Sequence, residues 1–220
     1  MQLTIISSYQ LQREVGFVRK DIVATGIYVT TDLKENKKTM KLPDKKYNII
    51  YADPPWSYKA WNNKDDRTAE KHYKTMDIQD IFDLPVQNIA NENCVLFMWA
   101  TFPNLKAALQ VIDAWGFKYK TVGFTWVKTN DDNSIFFGLG HYTRANAEIC
   151  LLATKGKIER LSKNISQVII SHRQEHSVKP PVIRERIVEL VGDLPRIELF
   201  ARQQMKGWDV WGNQELQKQF

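Results

Sequence analysis

Cysteine is scarce in this chain: Cys94 and Cys150 are the only two in 220 residues, each inside an apolar run (NCVLFMW and EICLLA). Such thiols read as small buried hydrophobes, and nothing about them points to an oxidising compartment. Long apolar runs are missing as well, since none approaches the ~20 residues that a membrane span requires. The amino terminus, MQLTIISSYQ, has no basic stretch followed by an apolar core, so no secretory signal is expected. A soluble, cytoplasmic protein without membrane contact is the expectation. Several site motifs are also missing. There is no G-x-G-x-x-G turn for a conventional dinucleotide site, no C-x-x-C or H-E-x-x-H for a metal, and no G-x-S-x-G elbow. His172 and His176 stand four apart but supply only two of four ligands, and the acidic pairs Asp65–Asp66 and Asp131–Asp132 fall in loops. No metal is expected.

What the chain does have is aromatic bulk and a slight basic excess. Seven Trp, eight Tyr and ten Phe supply a core for one domain of this length. The 31 basic residues against 25 acidic ones give a net charge of +6. That suits a polyanionic partner, but it is too modest for tight binding by electrostatics alone.

The stretch Tyr47–Trp56, YNIIYADPPW, carries the densest signal. Tyr47, Ile49, Ile50, Tyr51 and Ala52 read as a short buried strand. Pro54 and Pro55 end it, and Pro54 pushes Asp53 out of the helical region. A carboxylate is thereby expected at the carboxyl end of a buried strand, where open α/β sheets place their ligands. Asp53 and the Pro54 carbonyl can each accept one N–H of an exocyclic amine, with Trp56 and the stiff Pro55 beside a planar base. Taken alone, D-P-P-W would mark no more than a turn after a core strand.

Along the rest of the chain, residues 1–46 form an extension with strand composition at Thr25–Thr31 and a lysine-rich connection at Asp32–Lys46. The domain proper is expected over 47–220. A polar loop of about twenty residues follows Trp56; in it Tyr58, Trp61, His72 and Tyr73 interleave with Lys59, Lys64, Arg67, Lys71 and Lys74. Aromatic faces among cations suit stacked bases and phosphates. Asp77 should cap a helix (DIQDIFDL), Cys94–Ala100 reads as a buried strand, and Phe102–Trp115 as a helix with Pro103 at its start and Gly116 as its stop. Strands are predicted at Lys118–Val127, Ala147–Ala153, Gln167–Ile170 and Arg196–Phe200, and a helix at Pro181–Leu190 ending near Gly192. This alternation implies an α/β fold with a largely parallel sheet.

From Tyr47 to Gln214 the sequence resembles the MT-A70 family, adenine-N6 methyltransferases that use S-adenosyl-L-methionine. The resemblance rests on DPPW, on HYKTM (His72–Met76), on VLFMWAT and on GFKYKTVGFTWVKTN, which holds Trp126 and Lys128. It continues through GLGHYTRANAEICLLATKG with Glu148, through EHSVKPPVIRERI with Lys179, and through RIELFARQQMKGWDVWGNQ. It implies a Rossmann-like methyltransferase sheet with helices on both faces, permuted so that the catalytic motif precedes the cofactor motif. Asp53, Pro54, Pro55 and Trp56 are the implied catalytic set. Asp53, Lys179, Phe200, Arg202, Asn213 and Gln214 are the implied cofactor contacts, joined by Gln204 where relatives carry a histidine. Tyr73, Trp126 and Glu148 are implied to meet the target base.

The side chains have chemistry to match. Asp53 can pair with the cofactor's amino group, Lys179 with its carboxylate as a point charge, and Asn213 and Gln214 with ribose hydroxyls. DNA is expected as the substrate, in a bacterial or phage-infected cell, with a dimer or partner subunit completing the nucleic-acid surface. The alternatives are an RNA substrate, or an inactive subunit that binds nucleic acid or scaffolds a partner. The presence of Asp53, Lys179 and Arg202 favours an enzyme over the latter.

Overall fold

A computed structural model describes residues 41–56, 76–140, 142–173 and 178–212. Its elements, in chain order, are strand β1 (Tyr47–Ala52), helix α1 (Ile78–Phe82), strand β2 (Ala90–Ala100), helix α2 (Leu105–Ala114), strands β3 (Lys118–Thr129), β4 (Ala147–Lys155) and β5 (Val168–His172), helix α3 (Val182–Val191), and strands β6 (Arg196–Leu199) and β7 (Asp209–Trp211). The seven strands form one sheet in the order β5-β3-β4-β2-β1-β6-β7.

β1 lies inside the sheet, parallel to β2 on one side and to β6 on the other. This is why its sequence is an almost unbroken apolar run: a strand covered on both faces has no polar side to show. β6 and β7 are parallel, as are β3 and β5, whereas β4 runs against both β2 and β3. Reversal of β4 alone brings the carboxyl ends of the six other strands, and the amino end of β4, to a single edge. The functional side chains collect there.

Period-two alternation divides the core between the two faces. On one face Ile50, Ala52, Leu96, Met98, Leu151 and Ala153 pack with Ile81 of α1 and Ala108, Val111 and Ile112 of α2. On the other face Ile49, Tyr51, Phe97, Trp99, Phe124, Trp126 and Cys150 meet Ile183, Ile187 and Val191, which follow one another at i, i+4 and i+8 along α3. Helices therefore cover both faces, as the α/β assignment requires. Asp77 caps α1 by accepting the Gln79 amide at 3.0 Å, and the Trp115 indole donates to the Ile81 carbonyl at 2.9 Å, tying α2 to α1. Gly116, at φ +80°, supplies the left-handed turn that ends α2. Residues just before β1 pack onto the same body: Leu42 reaches the core and Lys45 pairs with Asp209.

Beyond shifts of one or two residues at other ends, two element starts and one added strand differ from the sequence expectation. β2 starts at Ala90, because Asn91, Glu92 and Asn93 extend the strand although they are polar; Asn91 is held by a side-chain bond of 2.9 Å to Asn48 of β1. The helix expected from Phe102 opens as a 3₁₀ turn over Phe102–Asn104 and becomes α-helical at Leu105. β7 is an added strand, too short for its periodicity to be read.

Candidate active site

The chain leaves β1 through Asp53, whose amide reaches the Leu199 carbonyl of β6 at 3.4 Å. Pro54 is buried, and its carbonyl accepts the Trp56 amide at 2.8 Å, closing a three-residue turn around Pro55. One lone pair of that carbonyl remains for another donor. Trp56 is itself buried and its indole N–H donates to the Trp99 carbonyl at 2.9 Å, which fastens the turn to β2. The indole thus serves as an anchor in the core rather than as open surface.

Asp53 stands at the head of a chain of alternating charges. Its Oδ2 accepts the Lys179 ammonium at 2.7 Å, and the two side chains are 18% and 5% exposed. The same ammonium lies 3.4 Å from Oε2 of Glu148, near the amino end of β4, while Oε1 of Glu148 accepts Lys128 from the carboxyl end of β3. The chain lies on an indole floor. Lys179 is 5.5 Å from the Trp99 ring centre and Lys128 is 4.9 Å from that of Trp126, and the two indoles meet edge to face at 6.4 Å. Burial pushes the Glu148 carboxyl up, but Lys179 and Lys128 together outweigh it and hold the group below its ordinary range. Burial likewise works against the Lys179 charge, and Asp53 and Glu148 more than restore it, so this ammonium titrates above its usual value.

A cleft opens beside Asp53 and Lys179, with Arg184, Glu198, Phe200 and Arg202 also in its wall, along with Val178 and Gln203. Arg184, in the first turn of α3, grips Glu198 of β6 with two bonds of 2.7 and 2.6 Å and lies 5.5 Å from the Tyr51 ring centre. Phe200 follows β6 at φ +61°, a conformation that side chains rarely adopt, and meets Trp211 edge to face at 5.5 Å. Arg202 comes next but one, at the same edge.

Of the residues expected from the sequence, Asp53, Lys179, Phe200 and Arg202 line this one cleft. Glu148 joins them through Lys179. Gln204 is exposed, with its amide turned back to the Trp208 carbonyl at 3.0 Å, and its neighbour Gln203 lines the cleft instead. Trp126 is buried, its indole N–H on the Ser171 carbonyl at 3.3 Å. Tyr73, the aromatic loop around it, His176, Asn213 and Gln214 lie outside the described residues. His172 places Nδ1 2.6 Å from the Asn130 carbonyl. Arg184 and Glu198 had no role in the sequence reading. The available signal was Glu198 itself, a charge in an apolar strand that needs a buried partner.

The donor set fits S-adenosyl-L-methionine. A zwitterionic methionine end needs one anion and one cation side by side, which Asp53 and Lys179 supply, and Phe200 and Arg202 add an aromatic face and a guanidinium nearby.

The sequence model of the MT-A70 family matches residues 47–214. Type II methyltransferase M.MunI from Mycoplasma sp is 36% identical over 190 residues, which are 78% of this chain and 79% of that protein. The N6-adenosine-methyltransferase non-catalytic subunit MTB of Arabidopsis thaliana is 27% identical over 169 residues, 73% of this chain and 21% of its own. The human N(6)-adenine-specific methyltransferase METTL4 is 26% identical over 191 residues, 80% of this chain and 39% of its own. The chain thus spans about four-fifths of the first relative and well under half of the other two. The family match runs from the first residue of β1 past the last of β7, taking in the whole sheet and every described residue of the cleft, so this chain belongs to the MT-A70 family of methyltransferases.

Proposed function

We propose that this adenine-N6 methyltransferase takes its methyl group from S-adenosyl-L-methionine and delivers it to adenine in DNA. The observation that carries the reading is the Asp53–Lys179 pair, an anion and a cation held at 2.7 Å in the wall of a cleft at the carboxyl edge of the sheet. Each has a charged counterpart on the cofactor. Asp53 would hold the ammonium and Lys179 the carboxylate of its methionine end. Phe200 and Arg202 would hold the remainder with Asn213 and Gln214, and Gln204 is the weakest member of the set. When bound, the cofactor supplies an electrophilic methyl group on a sulfonium.

Adenine's exocyclic nitrogen is a poor nucleophile, because its lone pair is delocalised into the ring. Asp53 and the free lone pair of the Pro54 carbonyl, accepting one N–H each, favour a pyramidal nitrogen with that lone pair available. Pro55 stiffens the turn that aims them and Trp56 fastens it. Orientation and water exclusion of this kind are worth about 7–11 kcal/mol in well-aligned systems. Extruding the base costs a few kcal/mol, less where it is unpaired. Tyr73, Glu148 and Trp126 are the proposed neighbours of the base. The order along the chain, acid turn first and cofactor-holding end last, is the permuted one.

The pattern of relatives favours DNA. Type II methyltransferase M.MunI is matched over about four-fifths of both chains, whereas the relatives named for adenosine or RNA are matched over 21–53% of their own length. No described helix is long and apolar enough to cross a membrane. A cytoplasmic site of action, with a second subunit completing the nucleic-acid surface, goes with this reading. The test offers labelled cofactor with double-stranded DNA, single-stranded DNA and RNA of one sequence, at fixed salt. Label on DNA is expected. Label on RNA alone would overturn the substrate, and cofactor binding without transfer to any of the three would favour a non-catalytic subunit.

A further inference from the structure

Glu148 is buried between two lysines that reach it from different elements, one from β3 and one from the segment before α3. Their contacts are unequal. Lys128 takes Oε1 in a close hydrogen bond, while Lys179 stands 3.4 Å from Oε2 and only 2.7 Å from Asp53. Two carboxylates and two ammonium groups make the cluster neutral, and neutrality is what a buried set of charges requires. The backbone of Lys128 is fixed from both sides: its amide donates to the Asn146 carbonyl, and its carbonyl accepts the Phe136 amide, each at 2.9 Å. Its ammonium is steadied further by the Trp126 ring.

We propose that Lys128 is a positioning residue of the methyl-transfer site: by holding Oε1 of Glu148 it leaves the Lys179 ammonium on Asp53, at the cleft. The proposal rests on the reading of Asp53 and Lys179 as the cofactor-binding pair. Without Lys128, Lys179 is left as the ammonium between the buried Glu148 and the half-buried Asp53. Glu148 then draws it away from Asp53, and the place where a cofactor carboxylate would find its counter-charge shifts. The charged and titratable groups around Glu148 are Lys128 from β3, Lys179 before α3, Asp53 past β1 and Cys150 on β4 itself, with Arg202 past β6 acting on Lys179. Trp99 and Trp126 floor the site. Of these, only Lys128 and Lys179 offset the burial of Glu148, so removing one raises its titration.

The test compares Lys128→Met and Lys128→Arg with the unchanged protein, using calorimetric affinity for S-adenosylmethionine and the pH profile of turnover. Lys128→Met should weaken cofactor binding by about ten- to a hundredfold, the scale of one charge-assisted contact. It should also move the acid limb of the profile to higher pH, and Lys128→Arg should restore both. In a Glu148→Gln background, where no second carboxylate competes for Lys179, Lys128→Met should leave cofactor affinity unchanged; this pair also serves if the single Met variant does not fold. A cofactor affinity that Lys128→Met leaves intact, an unmoved acid limb, or an equal loss in the Glu148→Gln background would overturn the proposal. With Asp53→Ala inactive, such a result removes only the role of Lys128. If Asp53→Ala retains turnover, the reading of the site and this proposal fall together.

Discussion

Two sets of charges, one buried and one half-buried at its ends, meet at the same cleft, and they are built in opposite ways. Arg184 and Glu198 form a closed pair, with both carboxylate oxygens taken by one guanidinium in parallel bonds. Asp53, Lys179, Glu148 and Lys128 form an open chain instead, in which Lys179 is shared between two acids and Asp53 takes Lys179 through one oxygen. A closed pair spends both carboxylate oxygens on one partner and serves to fasten α3 to β6. An open chain of point charges can exchange partners, because an incoming ammonium or carboxylate replaces a contact of the same kind. The difference separates the part of the cleft that holds the fold from the part that can do chemistry.

The sharpest way to break this contrast is at Asp53. Asp53→Ala should abolish methyl transfer, because it removes both the acceptor for the target amine and the partner for the cofactor's ammonium. The fold should survive, since Asp53 lies past the buried part of β1 and Lys179 retains Glu148. Near-normal turnover in a purified, folded variant would show that the open chain is not the chemical half of the site.

The closed pair should respond through stability. Arg184→Met leaves Glu198 buried without its guanidinium, and breaking a buried pair from one side costs about 3–5 kcal/mol. Burial already pushes the Glu198 carboxyl up, against the pull of Arg184. Adding Glu198→Leu should recover most of the loss, because a buried pair exchanged for apolar side chains is close to neutral. Denaturant melts of the single and double variants check this. If the single variant melts like the parent protein, the pair is not the fastening it resembles.

The same contrast explains what the sequence could and could not reveal. β1, the buried part of β2 and the amphipathic spacing of α2 and α3 were legible because each must present apolar residues at a fixed period. Asp53 was legible because two prolines mark where its strand stops. Lys179, Phe200 and Arg202 were picked out by resemblance, and the structure brings them to one cleft. Arg184 and Glu198 were invisible as a pair: they are 14 residues apart on different elements, and nothing local to a helix says which strand its arginine will meet. The sharing of Lys179 was hidden for the same reason, since Asp53 and Lys179 are 126 residues apart. The depth of Trp56 and Trp126 was not legible either, because an indole N–H with a carbonyl within reach can be drawn into the core, as both are here.

A third ion pair sets the lower end of the scale. Lys45 reaches Asp209 of β7 at 2.7 Å, but the side chains are 56% and 45% exposed. Asp209 also accepts the Tyr47 hydroxyl at 2.8 Å. The bonds from Lys45 and Tyr47 hold the Asp209 carboxyl below its ordinary range. A carboxyl depressed in the folded state contributes stability that is present above its unfolded value and lost as pH falls through the folded one. Solvent screening keeps that contribution small. Asp209→Asn, which preserves an acceptor for Tyr47 and removes only the charge, should cost about 0–1 kcal/mol at neutral pH and low salt. The cost should shrink further as salt is added, because an exposed pair is screened where a buried one is not. Thermal melts at two salt concentrations measure it. A loss as large as that of Arg184→Met, or one that salt leaves unchanged, would mean that exposure does not rank the ion pairs of this protein and that the contrast between closed and open pairs needs another physical basis.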